Sequence, residues 1–447
     1  VNRIAQITIV MASLNFAWNA RSQEPAELPA KLDLNEAERF LYRNNLSIVA
    51  ARHGVDASRA ARLAATYTPN PTLTVGAEQI KTDRRLNNYA FDTGTASNPT
   101  YTFRIDQVIE TAGKKRIRTD AADFTLLANE AQVLDTLRQQ TLQMKQFFYG
   151  ALLARDNLAS AKEILDSVSK TEELMTSQAR KGNIAEADLI KFQANKIQFD
   201  RDVATAELTY VQAIRDLINI LGAKVPERKS GSAAGDASTP SAPGPLPELE
   251  LIGNLTAPET EFNLDELRAR AAERTDVIAA KRNLDAAEKN IDLARAQRVV
   301  DVTVGGEYQR VGGDNTVGLV FSVPLPLYNN HKANISQAEA QRDTAVAQYR
   351  QAKQQAMTDV DKAYQAVVAN KKIVQLYATQ TLNKAKESLE IVQKAYDRKA
   401  ASLLDLLDAQ RTYKQTVFAA HQAQADLLNS LAQLDSATGL KKIDASR

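Results

Sequence analysis

Apolar positions along this chain follow two different periods, and the chain switches between them twice. From Phe199, the residues Val203, Ala206, Tyr210, Ala213, Leu217 and Ile220 step alternately by fours and threes. The same stepping runs through Leu403, Leu406, Gln410, Tyr413, Val417, Ala420, Gln424, Leu427, Leu431 and Leu434. That spacing puts one narrow stripe on a helix face, the geometry of supercoiled packing. The other faces carry Gln, Lys, Asp, Thr and Ser, so these helices are either solvated or line a watery space. A soluble coiled coil explains these helices equally well.

The second period is two. Val302 and Val304 alternate with Asp301 and Thr303, and Val317, Leu319, Phe321 and Val323 alternate with Gly318, Val320 and Ser322. Earlier, Leu73, Val75 and Ala77 alternate with Thr72, Thr74 and Gly76, while Tyr101, Phe103 and Ile105 alternate with Thr102, Arg104 and Asp106. These segments predict strands of about ten residues, the length a tilted strand needs to cross a bilayer. A few such strands cannot close a barrel, and open edges are not tolerated in hydrocarbon. Either they form a small soluble sheet, or several chains pool their strands. Three protomers would supply about twelve, enough to enclose an aqueous lumen.

The switch from strand to helix has a local cause. In VFSVPLPLYNNHKAN, Pro324 and Pro326 cannot donate ladder hydrogen bonds, so the strand ends and a helix is free to start near Ala333. In VIETAG the same job falls to the turn at Gly113. The chain is thus two copies of one plan: helix, strand, strand, long helix, tip, long helix. The copies open near Leu32 and Phe262, with Asn35 and Asp265 as expected N-caps, and close at Gly222 and Gly439. The expected divisions are a signal peptide over 1–23, a first repeat over 24–222, and a Pro/Ser/Gly-rich linker or excursion over 223–261 that is not a core element. A second repeat over 262–439 and a tail over 440–447 follow. The helical region after Gly113 runs to a tip near Lys181, on the order of 100 Å at the helical rise.

Composition narrows the function. Lys plus Arg number 56 against 54 Asp plus Glu, a net charge of +2, which gives nucleic acid no basic stripe to bind. There is no cysteine in the sequence, which removes disulfides, thiolate zinc sites, cysteine nucleophiles and a cysteine lipid anchor. His53, His331 and His421 lie far apart and lack ligand spacing, so no metal site and no cofactor is expected. No phosphate loop, elbow serine or triad is present, so an enzyme is not expected. GGEYQRVGGDN sits between two strands and reads as a hairpin.

TPNPTLTVGAEQ with ETAGKKRIR, and VGLVFSVPLPLYNNHKANISQAEA with LLDLLDAQRTY, resemble the TolC-type outer membrane efflux channels. The Pro-Asn-Pro strand start and the Val-Pro-Leu-Pro-Leu bend most resemble the cobalt–zinc–cadmium resistance branch. The resemblance covers nearly the whole chain after Leu32. It implies a mainly α fold with a small β part: a shared twelve-strand trimeric transmembrane barrel continued by a periplasmic helical tunnel. It also implies a passive exit duct in the outer membrane for heavy-metal cations, with a periplasmic adaptor and an inner-membrane resistance–nodulation–division pump as partners. Drugs, organic solvents or a secreted product stand as other cargoes. A soluble periplasmic stalk is the rival of a different class.

The resemblance assigns residues as well. It places Asp405 and Asp408 in an acidic ring at the periplasmic constriction, where three copies would favour cations and raise each other's pKa. Their other reading is that of first-turn acids stabilising a helix N-terminus. Asp188 and Tyr396 become a latch holding the tunnel closed, or Tyr396 is simply packed between helices. The family's basic latch partner is Ala401 here, with Arg398 or Arg180 as replacements. Arg180, Lys181, Gly182, Arg398 and Lys399 become the tips that face the adaptor. Gly113, Pro324 and Pro326 become the bends from barrel to tunnel.

Overall fold

The computed structural model describes residues 27–78, 100–182, 184–224 and 249–439. The expected signal segment 1–23, the tail 440–447 and most of the expected linker lie outside the described residues.

A short strand β1 (Lys31–Leu32) leads into α1 (Leu34–Asn44) and α2 (Leu46–Ala65). The expected single opening helix is thus two, broken at Asn45, whose side chain accepts from Ile48 N (3.0 Å) and donates to Ile220 O (2.7 Å). The N-cap of α1 is Asp33, not Asn35, and the cap of the equivalent helix of the second half is Asn263, not Asp265. The residues before those caps explain the shift. Leu32 packs in one core with Ala37, and Phe262 in another with Leu267, the hydrophobic staple that pins the chain just ahead of a cap.

Strands β2 (Thr72–Glu78) and β3 (Thr100–Ile109) follow, then α3 (Lys114–Arg180), 67 residues long. At the helical rise α3 spans roughly 100 Å. The return helix α4 (Glu186–Leu221) ends at Gly222, φ 69°. Strand β4 (Glu250–Leu251) pairs in parallel with β1. The second half gives α5 (Leu264–Ala271), α6 (Thr275–Ala296), β5 (Val302–Val311), β6 (Asp314–Ser322) and α7 (Lys332–Leu376). A π-helical turn over Tyr377–Thr381 then joins α7 to α8 (Leu382–Asp397), and α9 (Leu403–Ala437) returns. The π turn was not legible in the sequence; at its end the Thr381 hydroxyl donates to Leu376 O (3.0 Å), five residues back. Among the described residues no helix is long and apolar enough to cross a membrane.

Packing shows how the repeats interlock. On the sheet side, α2, α3, α6 and α7 lie side by side in that order. On the tip side α4 takes the place of α2 beside α3, and α9 takes the place of α6 between α3 and α7–α8. The predicted stripes are the packed faces: Phe199, Leu217 and Ile220 on α4, and Leu406, Val417, Ala420, Leu427 and Leu434 on α9, are all buried. The largest core lies midway, where Phe148, Leu152, Ile218 and Leu221 meet Leu249, Leu251 and Leu255. The expectation of a non-core linker over 223–261 therefore fails from Leu249 on. That stretch re-enters the fold by pairing with β1, and Arg155 holds it through Leu251 O and Gly253 O.

The strands form one antiparallel sheet in the order β2-β3-β5-β6. Register puts Leu73, Ile105, Gly306 and Leu319 in one cross-strand row, and Val75, Phe103, Tyr308 and Val317 in the next. Every predicted apolar position within the ladder thus falls on a single face, while Thr74, Arg104, Glu307 and Gly318 fall on the other; Val323 lies beyond it. The apolar face is bare, with Val317 80 % and Leu319 77 % exposed.

Candidate functional site

Helix α3 stops at Arg180, and Gly182 takes the left-handed conformation (φ 72°) that reverses the chain. The second tip uses the same device with a side chain in place: Lys399 sits at φ 60°. Its N–H donates to Tyr396 O (2.9 Å), and the N–H of Ala400 donates to Ala395 O (2.8 Å). Arg180, Lys181, Gly182, Arg398 and Lys399 are all exposed.

The two tips meet across a cleft of about 690 Å³ lined by residues including Asp188, Lys191, Tyr396, Lys399, Ala401 and Ser402. The structure thus brings Asp188 and Tyr396 together. Tyr396 is half-buried against the cluster of Val168, Met175, Phe192 and Phe199. Burial, and then the charges of Asp188 and Asp397, push its hydroxyl pKa up. Among the described residues no hydrogen bond joins Asp188 to Tyr396, so Tyr396 is packed between helices and also faces the carboxylate. The cleft's cations are Lys191 and Lys399; neither Arg398 nor Arg180 lines it. The αL turn gives Lys399 this place, and no periodic pattern in the sequence marks it.

Asp405 and Asp408 are exposed in the first turns of α9. Asp405 is engaged locally. Its Oδ2 accepts from Ser402 N (2.9 Å) and Ser402 Oγ (2.7 Å), and its own N–H donates to Ser402 Oγ (3.2 Å). This capping box holds the carboxyl below its usual pKa. In the single chain the shift is therefore opposite to the one that crowding among three copies would impose.

Where the strands give way to long helices, the backbone is left-handed at Ala112 (φ 54°), Gly113 (φ 67°) and His331 (φ 58°). Ala112 is a bend residue that sequence reasoning missed, whereas the run of polar turn formers YNNH already marked His331 as one. The amides of His331 and Lys332 donate to the side chains of Asn329 and Asn330. Pro324 and Pro326 lie beyond the ladder, where the N–H of Leu327 turns back to Leu325 O across Pro326. At the first bend Asp301 accepts from Thr111 N (2.8 Å) and Lys114 Nζ (2.7 Å), tying the start of α3 to the start of β5. Arg118 binds Glu110 and the carbonyls of Ala65 and Tyr67, tying α2 to the same junction.

The histidines are apart. His421 pairs with Asn157 (3.0 Å) on α3, with burial lowering its pKa, and His53 lies 3.7 Å from Asp56 on α2. Among the described residues no group of three or more His, Cys, Asp or Glu is placed to hold a metal ion.

The model of the family described as outer membrane efflux protein matches residues 41–223 and 267–440. The cobalt-zinc-cadmium resistance protein CzcC of Cupriavidus metallidurans is 22% identical over 394 residues, 88% of this chain and 86% of that protein. The pyoverdine export outer membrane protein OpmQ of Pseudomonas putida is 24% identical over 340 residues, 72% of this chain and 66% of that protein. Among solved structures, the outer membrane protein VceC of Vibrio cholerae superposes with a TM-score of 0.72 at 20% identity, covering 91% of this chain and 96% of that one.

Proposed function

The chain belongs to the outer membrane efflux protein family, and from that premise we propose that three copies form a passive exit duct for divalent metal cations. One observation carries the reading. A sheet with an aligned, bare apolar face and two open edges is continuous with an array of helices roughly 100 Å long. Open edges are not tolerated in lipid, so β2 of one copy meets β6 of the next, giving about twelve strands around a lumen. Unpacked apolar side chains on both flanks of the helical array support the same closure: Ile190, Ile197 and Leu208 on α4, and Val368 and Ile391 on α7 and α8.

Within the duct, Asp405 and Asp408 give about six carboxylates around the tunnel axis at the tip, a field that favours cations. The cleft with Asp188 and Tyr396 is the latch between the tips. The exposed basic tips, Arg180 to Gly182 and Arg398 to Lys399, are the surface for a periplasmic adaptor, through which an inner-membrane pump supplies the energy. The bends at Gly113, Pro324 and Pro326 carry the chain from barrel to tunnel. The first and second repeats, 24–222 and 262–439, each supply one hairpin of strands and one helical arm.

Metal cations as cargo rest on the relative named for cobalt, zinc and cadmium resistance. The relative named for pyoverdine export marks an organic cargo as the competing reading. Cells lacking this chain separate the two. Raised cellular cobalt, zinc or cadmium, reversed by the restored chain, supports the metal reading. Unchanged metal with retained organic solute moves the cargo to the organic class.

A further inference from the structure

The apolar stripe of β6 does not stop where its ladder stops. Val317, Leu319 and Phe321 face outward within the strand, and Val323, Leu325 and Leu327 continue the same every-second-residue pattern beyond Ser322. Leu325 and Leu327 are each 74 % exposed, and Tyr328 at the end is fully exposed. Nothing in the described chain covers them. Two leucines at that exposure, in alternate positions after Val323 at 46 %, call for a partner.

Height identifies it. A strand tilted by about 40° gains roughly 2.5 Å of bilayer depth per residue. Val317 to Phe321 therefore spans about 10 Å, well short of the outward apolar band of about 25 Å that such barrels present. The deficit cannot be met at the other end of this hairpin. The turn there is only Gly312 and Gly313, with Gly312 at φ 60°, and Asp314, Asn315 and Thr316 follow at once. Counting on to Leu327 brings the stripe to at most roughly 25 Å, since the turn from Leu325 to Leu327 shortens its end.

The backbone suits the same place. Beyond the ladder an extended chain in lipid would carry unpaired donors, each costing several kcal/mol. Pro324 and Pro326 have no N–H, and the N–H of Leu327 donates to Leu325 O (2.9 Å), so fewer donors, that of Leu325 among them, are left without a backbone partner. Tyr328 then lies where an aromatic ring marks the membrane interface, and Lys332 follows at head-group level.

We propose that Val323–Tyr328 is a lipid-contacting extension of β6, seated in the acyl region of the periplasm-facing leaflet with Tyr328 at its head groups. This rests on the barrel reading above, and the test separates the two. The sequence has no cysteine, so single cysteines at Leu319, Phe321, Leu325 and Leu327 can each carry a bimane label in otherwise unaltered full-length protein. The protein is reconstituted in phosphatidylethanolamine–phosphatidylglycerol vesicles. Brominated acyl chains report lipid contact, and iodide on both sides of the membrane reports water. The expected result is blue-shifted emission and lipid quenching at Leu325 and Leu327 that match those at Phe321, with iodide ineffective. Iodide quenching at Leu325 and Leu327 beside lipid quenching at Phe321 would overturn the extension and leave the barrel. Shielding from both quenchers would overturn it too, showing a second copy of the chain as the cover. Loss of lipid quenching at Leu319 and Phe321 as well would sink the barrel reading along with it.

Discussion

Replacing Arg274 by alanine should be among the most damaging single changes in the helical array. Its side chain is 2% exposed at the start of α6, and it donates to both oxygens of Asp276 (2.8 and 2.7 Å) and to Asp359 of α7 (2.9 Å). Breaking a buried pair by removing one partner costs about 3–5 kcal/mol, because a charge is left behind uncompensated. Here Asp276 and Asp359 keep 24% and 34% of their side-chain exposure, so water can replace part of what the guanidinium gave. The low end applies, about 3 kcal/mol, or roughly a hundredfold in the folded-to-unfolded ratio. Arg274→Lys should recover only part of it, since an ammonium cannot make the two-pronged contact. Burial is the largest influence on Asp276 and opposes its charge, but the Arg274 hydrogen bonds and charge, with the charge of Arg138 and the Val277 N–H, together outweigh it and the pKa falls below the usual value. A depressed carboxylate contributes stability above its unfolded pKa and loses it as pH falls through the folded value. Denaturant titration of detergent-solubilised protein should therefore show a smaller acid-side loss in Arg274→Ala than in wild type. A variant within about 0.5 kcal/mol of wild type, with the same acid limb, would show that this ion pair does not hold α6 to α7.

Other positions give sharper local tests. A Cβ at Gly222 would lie 2.5 Å from Asn44 O in a backbone with φ 69°, so Gly222→Ala should cost about 2 kcal/mol or more in the same titration. Lys399→Gly should stabilise the second tip by about 0.5–1 kcal/mol, read as slower proteolysis between α8 and α9, because glycine takes the left-handed conformation without strain. The Asp405 carboxyl is held low by Ser402, so the capping box should persist through mildly acid pH and open only below the ordinary carboxylate range. NMR titration of that carboxyl checks the direction, and Ser402→Ala should return it toward the ordinary value.

Much of this fold could be read from periodicity. The packed stripes on α4 and α9 follow the alternating threes and fours, and the strand faces follow the period of two through all four strands. Gly222 and Gly113 carry positive φ where a helix had to end or begin. What stayed hidden depends on partners distant in sequence. Asn45 breaks the opening helix by bonding Ile220 O, 175 residues away. Leu249 and Leu251 become core only because β4 pairs with β1, and a Pro-rich neighbourhood disguised them as linker. Asp188 and Tyr396 line one cleft without a hydrogen bond between them. That Lys399 lines the same cleft depends on a left-handed lysine, which composition does not announce. Asp405 shows the limit most plainly: the three-residue spacing from Asp408 suits a ring, and the Ser402 three residues before it suits a cap.

Whether three copies make a duct closed by an acidic ring is decided by single-channel conductance of the detergent-purified protein in a planar lipid bilayer, with wild type set against Asp405→Ala/Asp408→Ala. A trimeric duct should give a small, cation-selective conductance that rises and loses selectivity in the double variant. A protein that stays in solution without detergent and opens no channel would leave neither barrel nor duct.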